Sequence, residues 1–109
     1  GATVILPTRN FSKMEDAAAS IRSTVSDADL VIPKLVFDLS SFALVRGFAE
    51  SLRRFTSIHI LVNNAGVSSN PRQKVTTDGM DLAFEVDYPS QWLLTQLLLP
   101  QLRAGKGRV

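Results

Sequence analysis

The sequence contains no cysteine and only one histidine, His59, among its 109 residues. Without cysteine there are no disulfides and no thiolate metal sites, and one histidine offers too few ligands, so we expect no metal site. Absence of cysteine also fits a reducing compartment, and residues 1–10 lack the layout of a signal peptide. We therefore expect a cytoplasmic protein. No apolar run approaches the length of a membrane span, so no membrane segment is expected in this chain.

Basic charge is also too sparse to indicate a nucleic-acid partner. The formal net charge is +2, and the basic residues are spread from Arg9 to Arg108 without interleaved aromatic residues. That distribution predicts no binding to nucleic acid. The 45% of hydrophobic and 20% of charged residues are typical of an ordinary globular protein, and the length allows one domain at most.

The clearest local pattern is an apolar run at residues 58–62 that stops abruptly at Asn-Asn-Ala-Gly, residues 63–66. The run is rich in β-branched residues and predicts a parallel strand that is apolar and buried on both faces. The polar and small residues after it predict a sharp turn at the carboxyl end of that strand. Open α/β sheets bind their ligands at this edge.

The remaining chain alternates between strand-like and helix-like patterns. Pro33 places the first half of the second strand at an edge or bulge, and candidate helix caps are Asn10 or Ser12 and Ser40 or Ser41. The predicted elements are strands at 2–6, 30–37 and 58–62, helices at 12–25, 44–55 and 80–102 (interrupted by Pro89), an exposed loop at 67–79 and a strand onset at 108–109. This alternation indicates an α/β fold, with a parallel sheet covered by helices on both faces.

Motifs at the predicted strand ends and along the last helix carry a resemblance to a known family. They are Thr-Arg-Asn at 8–10, Asp-Leu-Ser at 38–40, Leu-Val-Asn-Asn-Ala-Gly at 61–66, and, between 77 and 100, Thr-Asp-Gly-Met, Phe-Glu-Val-Asp, Leu-Leu-Thr and Leu-Leu-Leu-Pro. In this order they resemble the short-chain dehydrogenase/reductase family, within it the retinol-dehydrogenase-like or protochlorophyllide-reductase-like branch. The resemblance implies a Rossmann-type doubly wound parallel sheet. It also implies hydride transfer between a nicotinamide cofactor and a small carbonyl or alcohol substrate.

Two features of that family are missing from the sequence. No glycines stand at GxxxGxG or GxGxxG spacing, and the only tyrosine, Tyr88, is followed four residues later by Trp92, so there is no Tyr-x-x-x-Lys pair. The resemblance places the glycine-rich turn before Gly1 and the catalytic pair beyond Val109. We therefore expect residues 1–109 to be a single, partial NAD(P)-binding Rossmann domain, truncated at both ends. It would lack the first strand, the glycine-rich turn and the C-terminal half, and be inactive by itself.

The candidate cofactor residues follow the first two predicted strands. Arg9, with Asn10 beside it, lies where the adenosine ribose of a dinucleotide would bind, and a guanidinium there favours the 2′-phosphate of NADP over the free diol of NAD. By resemblance, Asp38 contacts the adenine amino group and Leu39 supplies a backbone contact. The alternatives are a solvated surface arginine and a helix-capping or turn aspartate.

Residues 63–66 supply the third part of the expected cofactor site. By resemblance, Asn63, Ala65 and Gly66 form the turn that stabilises the central sheet and lets the cofactor approach the backbone, where a larger side chain would occupy the adenosine-ribose site. A plain strand-ending turn would explain Gly66 but not the paired asparagines. We expect Arg9, Asp38 and Asn63 to rim one shared crevice.

Asp87 is the candidate catalytic residue of this chain. It aligns with the asparagine of the family's Asn-Ser-Tyr-Lys tetrad, which holds a helix kink and a water of the proton relay, and Pro89 fits such a kink. An ionised aspartate cannot donate a hydrogen bond, and the alternative is a solvated helix acid. In the family this helix often packs between subunits, so the stretch 80–102 is also a candidate homo-oligomer surface.

Three functions remain open at this point. The first is an NADP-dependent oxidoreductase, with NAD as the less favoured cofactor. The second is a relative that binds NADP without catalysis, which is suggested by the aspartate at position 87. The third is a structural α/β module that binds no cofactor.

Overall fold

The structure is a computed structural model that describes residues 1–68 and 74–109. Its contacts divide the chain into two compact units, Gly1–Asp38 and Leu39–Val109. The predicted loop at 67–79 lies partly outside the described residues.

The first unit contains a two-stranded parallel sheet and one helix. Strand β1 spans Thr3–Ile5, helix α1 spans Phe11–Thr24 and strand β2 spans Asp29–Val31, with Thr3 opposite Asp29. The predicted strand at 30–37 is wrong as one continuous element. Pairing stops before Pro33, which has no N–H to donate, and resumes at a single parallel bridge between Thr8 and Val36.

Helix α1 begins where its first candidate cap predicts. The side chain of Asn10 accepts a hydrogen bond from the backbone N–H of Lys13 at 3.0 Å, which satisfies one of the donors left free at a helix start. Asn10, rather than Ser12, is therefore the cap. The helix ends at Thr24, within one residue of the predicted boundary.

The second unit is built from helices. Helix α2 spans Phe42–Ser51 and continues into a short 3₁₀ helix at Leu52–Arg54, helix α3 spans Leu82–Asp87, and helix α4 spans Pro89–Ala104. Ser41 caps α2 by accepting from the N–H of Leu44 at 3.4 Å. Helices α2 and α4 pack on each other. The buried apolar side chains of α2, the 3₁₀ helix and α4 recur at helical spacing and are Val45, Phe48, Ala49, Leu52, Leu94, Leu98 and Leu102.

The long predicted helix at 80–102 is broken at Tyr88, as Pro89 indicates. Tyr88 has φ −130° and ψ −80°, and Pro89 is the first residue of α4, where its fixed φ suits a helix start. Pro100 lies inside α4. Among the described residues, no helix combines the length and the apolar character that crossing a membrane requires.

Residues 58–62 are not the strand buried on both faces that the sequence predicts. The segment forms one isolated parallel bridge, Ile60 with Arg108, and the side chains of Ile60 and Val62 are 70% and 74% exposed. A parallel strand becomes buried only when strands flank it and helices cover both of its faces. Within the described part of the second unit, residues 58–62 are bridged along one edge alone, at the predicted strand onset near Arg108.

Candidate functional site

In the first unit, Arg9 lies in a turn that the side-chain hydroxyl of Thr8 holds closed. The Thr8 hydroxyl accepts from the Asn10 N–H and donates to the Asn10 carbonyl, both at 2.8 Å, and Arg9 between them is exposed. Asp38 follows Val36, which pairs in parallel with Thr8. Because parallel segments end at the same edge, the turn at Arg9 and the segment entering Asp38 leave the pair at one end.

Asn10 has a structural task in addition to its predicted one. Its Oδ1 accepts from the N–H of Lys13 and so caps helix α1. Leu39 is likewise engaged: its carbonyl accepts a 2.6 Å hydrogen bond from the hydroxyl of Ser90, which is fully buried. Cofactor contacts of Asn10 and Leu39 remain predictions.

In the second unit, residues 63–67 do not form the sharp turn that the sequence predicts, and they lie along helices α3 and α4. Three side-chain contacts hold this segment, and we call these contacts the turn ladder. The Asn63 amide donates to the Thr95 hydroxyl at 3.1 Å, the Gln91 amide donates to the Ala65 carbonyl at 2.6 Å, and the Val67 N–H donates to Asp87 Oδ1 at 2.9 Å. The contacts involve every second residue of the turn segment and every fourth residue of the helices.

The spacing of the turn ladder follows from elementary geometry. Two residues of extended chain advance by about 6.6 Å, and four residues of α-helix advance by about 6 Å. An extended segment that runs antiparallel to a helix can therefore meet its partners at positions 95, 91 and 87 in succession. The predicted site residues Asn63, Ala65 and Asp87 are brought together in this way.

Asp87 uses its carboxylate only as an acceptor in the contact with Val67. An asparagine would offer the same acceptor through its amide oxygen, so the aspartate retains the hydrogen bond that joins the helix end to the turn. Gly66 lies beside this contact: a Cβ built there would come 3.5 Å from Asp87 Oδ1, which is ordinary van der Waals contact. Packing among the described residues therefore does not itself require glycine at position 66.

Gln91 and Thr95 complete the turn ladder, and sequence reasoning missed both. They lie on α4, four and eight residues after Asp87, and this polar row on an otherwise leucine-rich helix was the signal available. The Thr95 hydroxyl donates to the Gln91 carbonyl at 2.8 Å while accepting from Asn63, so the two residues are linked. In residues 1–68 and 74–109, no three His, Asp or Glu side chains form a group that could hold a metal ion.

A cavity of about 690 Å³ lies between α2 and α4, but its lining includes none of the predicted site residues. Arg46 and Arg53 contribute to it, and Arg53 is paired with Glu50 at 2.8 Å on the exposed surface of α2 and the 3₁₀ helix. An ion pair of this kind between exposed side chains contributes little to stability. Because none of the residues that line the cavity belongs to the turn ladder, the two are separate.

Comparison with known proteins shows extensive similarity to oxidoreductases. The sequence model of the short chain dehydrogenase family matches residues 1–109. Retinol dehydrogenase 12 of Mus musculus is 41% identical over 104 residues, which cover 94% of this chain and 32% of the relative. The chain thus spans about a third of the length of this relative.

Solved structures show the same fold. A crystal structure of an uncharacterized protein from Mycobacterium paratuberculosis superposes with a TM-score of 0.76 at 31% identity, covering 93% of this chain and 34% of that one. An alcohol dehydrogenase from the archaeon Thermococcus sibiricus, complexed with 5-hydroxy-NADP, superposes with a TM-score of 0.74 at 20% identity, covering 96% and 44%. These neighbours and the small parallel sheet confirm an α/β fold, part of a Rossmann-type sheet. The chain belongs to the short-chain dehydrogenase/reductase family, in its retinol-dehydrogenase-like branch.

Proposed function

We propose that the full-length protein is an NADP-dependent oxidoreductase that transfers hydride between the nicotinamide and a carbonyl or alcohol carbon of a small molecule. Membership of the family and 41% identity to a retinol dehydrogenase support an oxidoreductase. The observation that carries the proposal is the turn ladder, which holds Asn63 and Ala65 against α4 and joins Val67 to Asp87 at the end of α3.

NADP is proposed rather than NAD because of Arg9. The turn closed by Thr8 and Asn10 fixes the backbone at Arg9 and leaves its side chain exposed after a paired segment. A guanidinium binds a phosphate through charge-assisted, bidentate hydrogen bonds that the diol of NAD cannot match. Asp38 and Leu39 would contact the adenine, and Asn10, Asn63, Ala65 and Gly66 would line the path of the adenosine.

In this proposal, the cofactor supplies or accepts the hydride when bound. The residues of this chain bind and orient it, and Asp87 keeps the turn in place through the N–H of Val67. A tyrosine and lysine beyond Val109 would move the proton, and the chain alone would then be inactive. We further propose a cytoplasmic location and a homo-oligomer through residues 80–102, where Phe84, Tyr88 and Trp92 are exposed at four-residue spacing.

The test is to mix the full-length protein with NADPH or NADH and a panel of aldehydes and ketones, and to follow cofactor absorbance. We expect NADPH to be oxidised faster than NADH. Binding of NADPH without turnover would favour the second candidate, a non-catalytic NADP-binding relative, which the aspartate at position 87 suggests. No binding of either cofactor would refute the proposal and leave a structural α/β module.

A further inference from the structure

We propose that Gln91 is a positioning residue, which locks the turn at 63–67 to the break between α3 and α4 so that Asp87 faces Val67. The proposal rests on the proposed function, because that function gives Asp87 and the turn their roles. Gln91 touches neither cofactor nor substrate in this scheme. It acts through the two segments that it joins.

One nitrogen of Gln91 joins two separate segments. Gln91 Nε2 donates to the Ala65 carbonyl at 2.6 Å and to the Val86 carbonyl at 3.1 Å. A primary amide carries two N–H groups, so it can make both bonds at once. Val86 belongs to the last turn of α3, and in an unbroken helix its carbonyl would accept from the N–H of residue 90. At the break, the Gln91 amide donates to that carbonyl.

Both hydrogen bonds of Gln91 Nε2 lie next to the Asp87 contact. Val86 precedes Asp87 directly, and Ala65 lies two residues before Val67, whose N–H donates to Asp87 Oδ1. Gln91 therefore fixes the backbone on each side of that hydrogen bond. Its own backbone is tied in turn, because the Thr95 hydroxyl donates to the Gln91 carbonyl.

Position 91 requires a side chain that can donate two hydrogen bonds. The two groups that face Gln91 Nε2 are both carbonyls, which accept and cannot donate. A methionine of similar length would leave both carbonyls without this partner. A glutamate would direct a carboxylate at two carbonyl oxygens, so Gln91→Glu should loosen the turn more than Gln91→Met does.

The experiment compares three variants of the full-length protein: Gln91→Met, Gln91→Glu and the control Gln101→Met. Gln101 lies on the same helix, and its amide makes one long contact of 3.5 Å with the Leu52 carbonyl, away from the turn ladder. Amide hydrogen exchange of Val67 reports on its bond to Asp87, and steady-state kinetics separate kcat from KM for the carbonyl substrate.

We expect Gln91→Met to speed the exchange of the Val67 amide about tenfold and to lower kcat about tenfold, with a change of less than about twofold in the substrate KM. Gln91→Glu should speed the exchange and lower kcat by more than Gln91→Met does. Gln101→Met should change neither the exchange of the Val67 amide nor kcat. Amides of α2 should exchange at the unmodified rate in both Gln91 variants, because that helix lies outside the turn ladder.

The proposal is overturned if Gln91→Met matches Gln101→Met in Val67 exchange or in kcat. It is also overturned if the amides of α2 loosen equally, because Gln91 would then support the fold in general. Failure of the proposed function has a different signature: the unmodified protein would not oxidise NADPH with any carbonyl compound. The exchange of the Val67 amide would still report whether Gln91 holds the turn.

Discussion

At the scale of single residues, Asp87 acts as a hydrogen-bond acceptor. The contact with the Val67 N–H requires an acceptor, and a carboxylate oxygen provides it at 2.9 Å. The family resemblance pointed to position 87, but the contact of Asp87 with Val67 was not predicted from the sequence. Gln91 and Thr95 were not predicted, because apolar periodicity indicates only the buried face of a helix. The hydrogen-bond partners of polar side chains depend on which backbone segment lies beside the helix.

Two substitutions of Asp87 distinguish the contribution of its hydrogen-bond acceptor from that of its negative charge. Asp87→Asn keeps an acceptor oxygen, so we expect the full-length protein to retain its stability and its turnover of NADPH. Asp87→Ala leaves the Val67 N–H without this partner and should lower the free energy of unfolding by about 0.5–1.5 kcal/mol. Denaturant unfolding of both variants checks the prediction, and equal stability of the two would contradict it.

Arg9 carries the choice between NADP and NAD. In Arg9→Ala the charge-assisted bonds to the 2′-phosphate are lost, so KM for NADPH should rise by roughly 10- to 100-fold while KM for NADH changes little. Arg46→Ala, on the surface of α2, removes the same charge elsewhere and serves as the control. The role of Arg9 in NADP preference would be disproved if Arg9→Ala raised KM equally for NADPH and NADH. It would also be disproved if Arg46→Ala changed KM as much as Arg9→Ala does.

At the scale of elements, helices were predicted better than strands. Asn10 and Ser41 cap helices as two of the four candidate residues, and the break at Pro89 lies within one residue of its predicted place. These features depend on neighbours within a few residues. The segment 58–62 was predicted wrongly because its burial depends on strands and helices remote in sequence. Apolar composition alone does not supply those neighbours.

The chain after α4 passes so close to residues 58–62 that two glycines are needed there. A Cβ at Gly105 would come 2.8 Å from the Ile58 carbonyl carbon, and one at Gly107 would come 2.5 Å from the Ile58 oxygen. Both obstacles are backbone atoms, which cannot rotate away as a flexible side chain would. This close approach accompanies the hydrogen bond from the Ile58 N–H to the Gln101 carbonyl.

Gly105→Ala should therefore destabilise the full-length protein by about 1–3 kcal/mol, because backbone must shift to admit a methyl group. Gly66→Ala is the matched control, since its Cβ would meet only an ordinary contact, and we expect a change within about 0.5 kcal/mol. Thermal unfolding measures both. Weaker NADPH binding by Gly66→Ala at unchanged stability would support cofactor approach at that glycine, whereas a stable Gly105→Ala variant would refute the steric argument.

At the scale of the whole molecule, motif order identified the family and the α/β fold, both of which are confirmed. The motifs succeed because they encode backbone turns at strand ends. Substrate choice had no such signal within residues 1–109. The chain covers 32% of the length of its retinol dehydrogenase relative, so the activity of the intact protein stays a proposal.

The sequence itself provides a test at this scale. Residues 1–109 contain no Tyr-x-x-x-Lys pair, so this chain alone should show no NADPH-dependent reduction of aldehydes that the full-length protein reduces. Cofactor absorbance, with the full-length protein as the positive control, measures the difference. Turnover by the isolated chain would mean that proton transfer uses a residue within it.

In the turn ladder, two residues of the 63–67 segment span about the same distance as four residues of helix. This region should therefore be more sensitive to inserted residues than to substitutions. One residue added between Asp87 and Thr95 would rotate the later contact by about 100° around the helix axis. One residue added between Asn63 and Val67 would reverse the side to which the following groups point. Insertion of one residue in either stretch would therefore disrupt the contacts of the turn ladder more than most side-chain substitutions would.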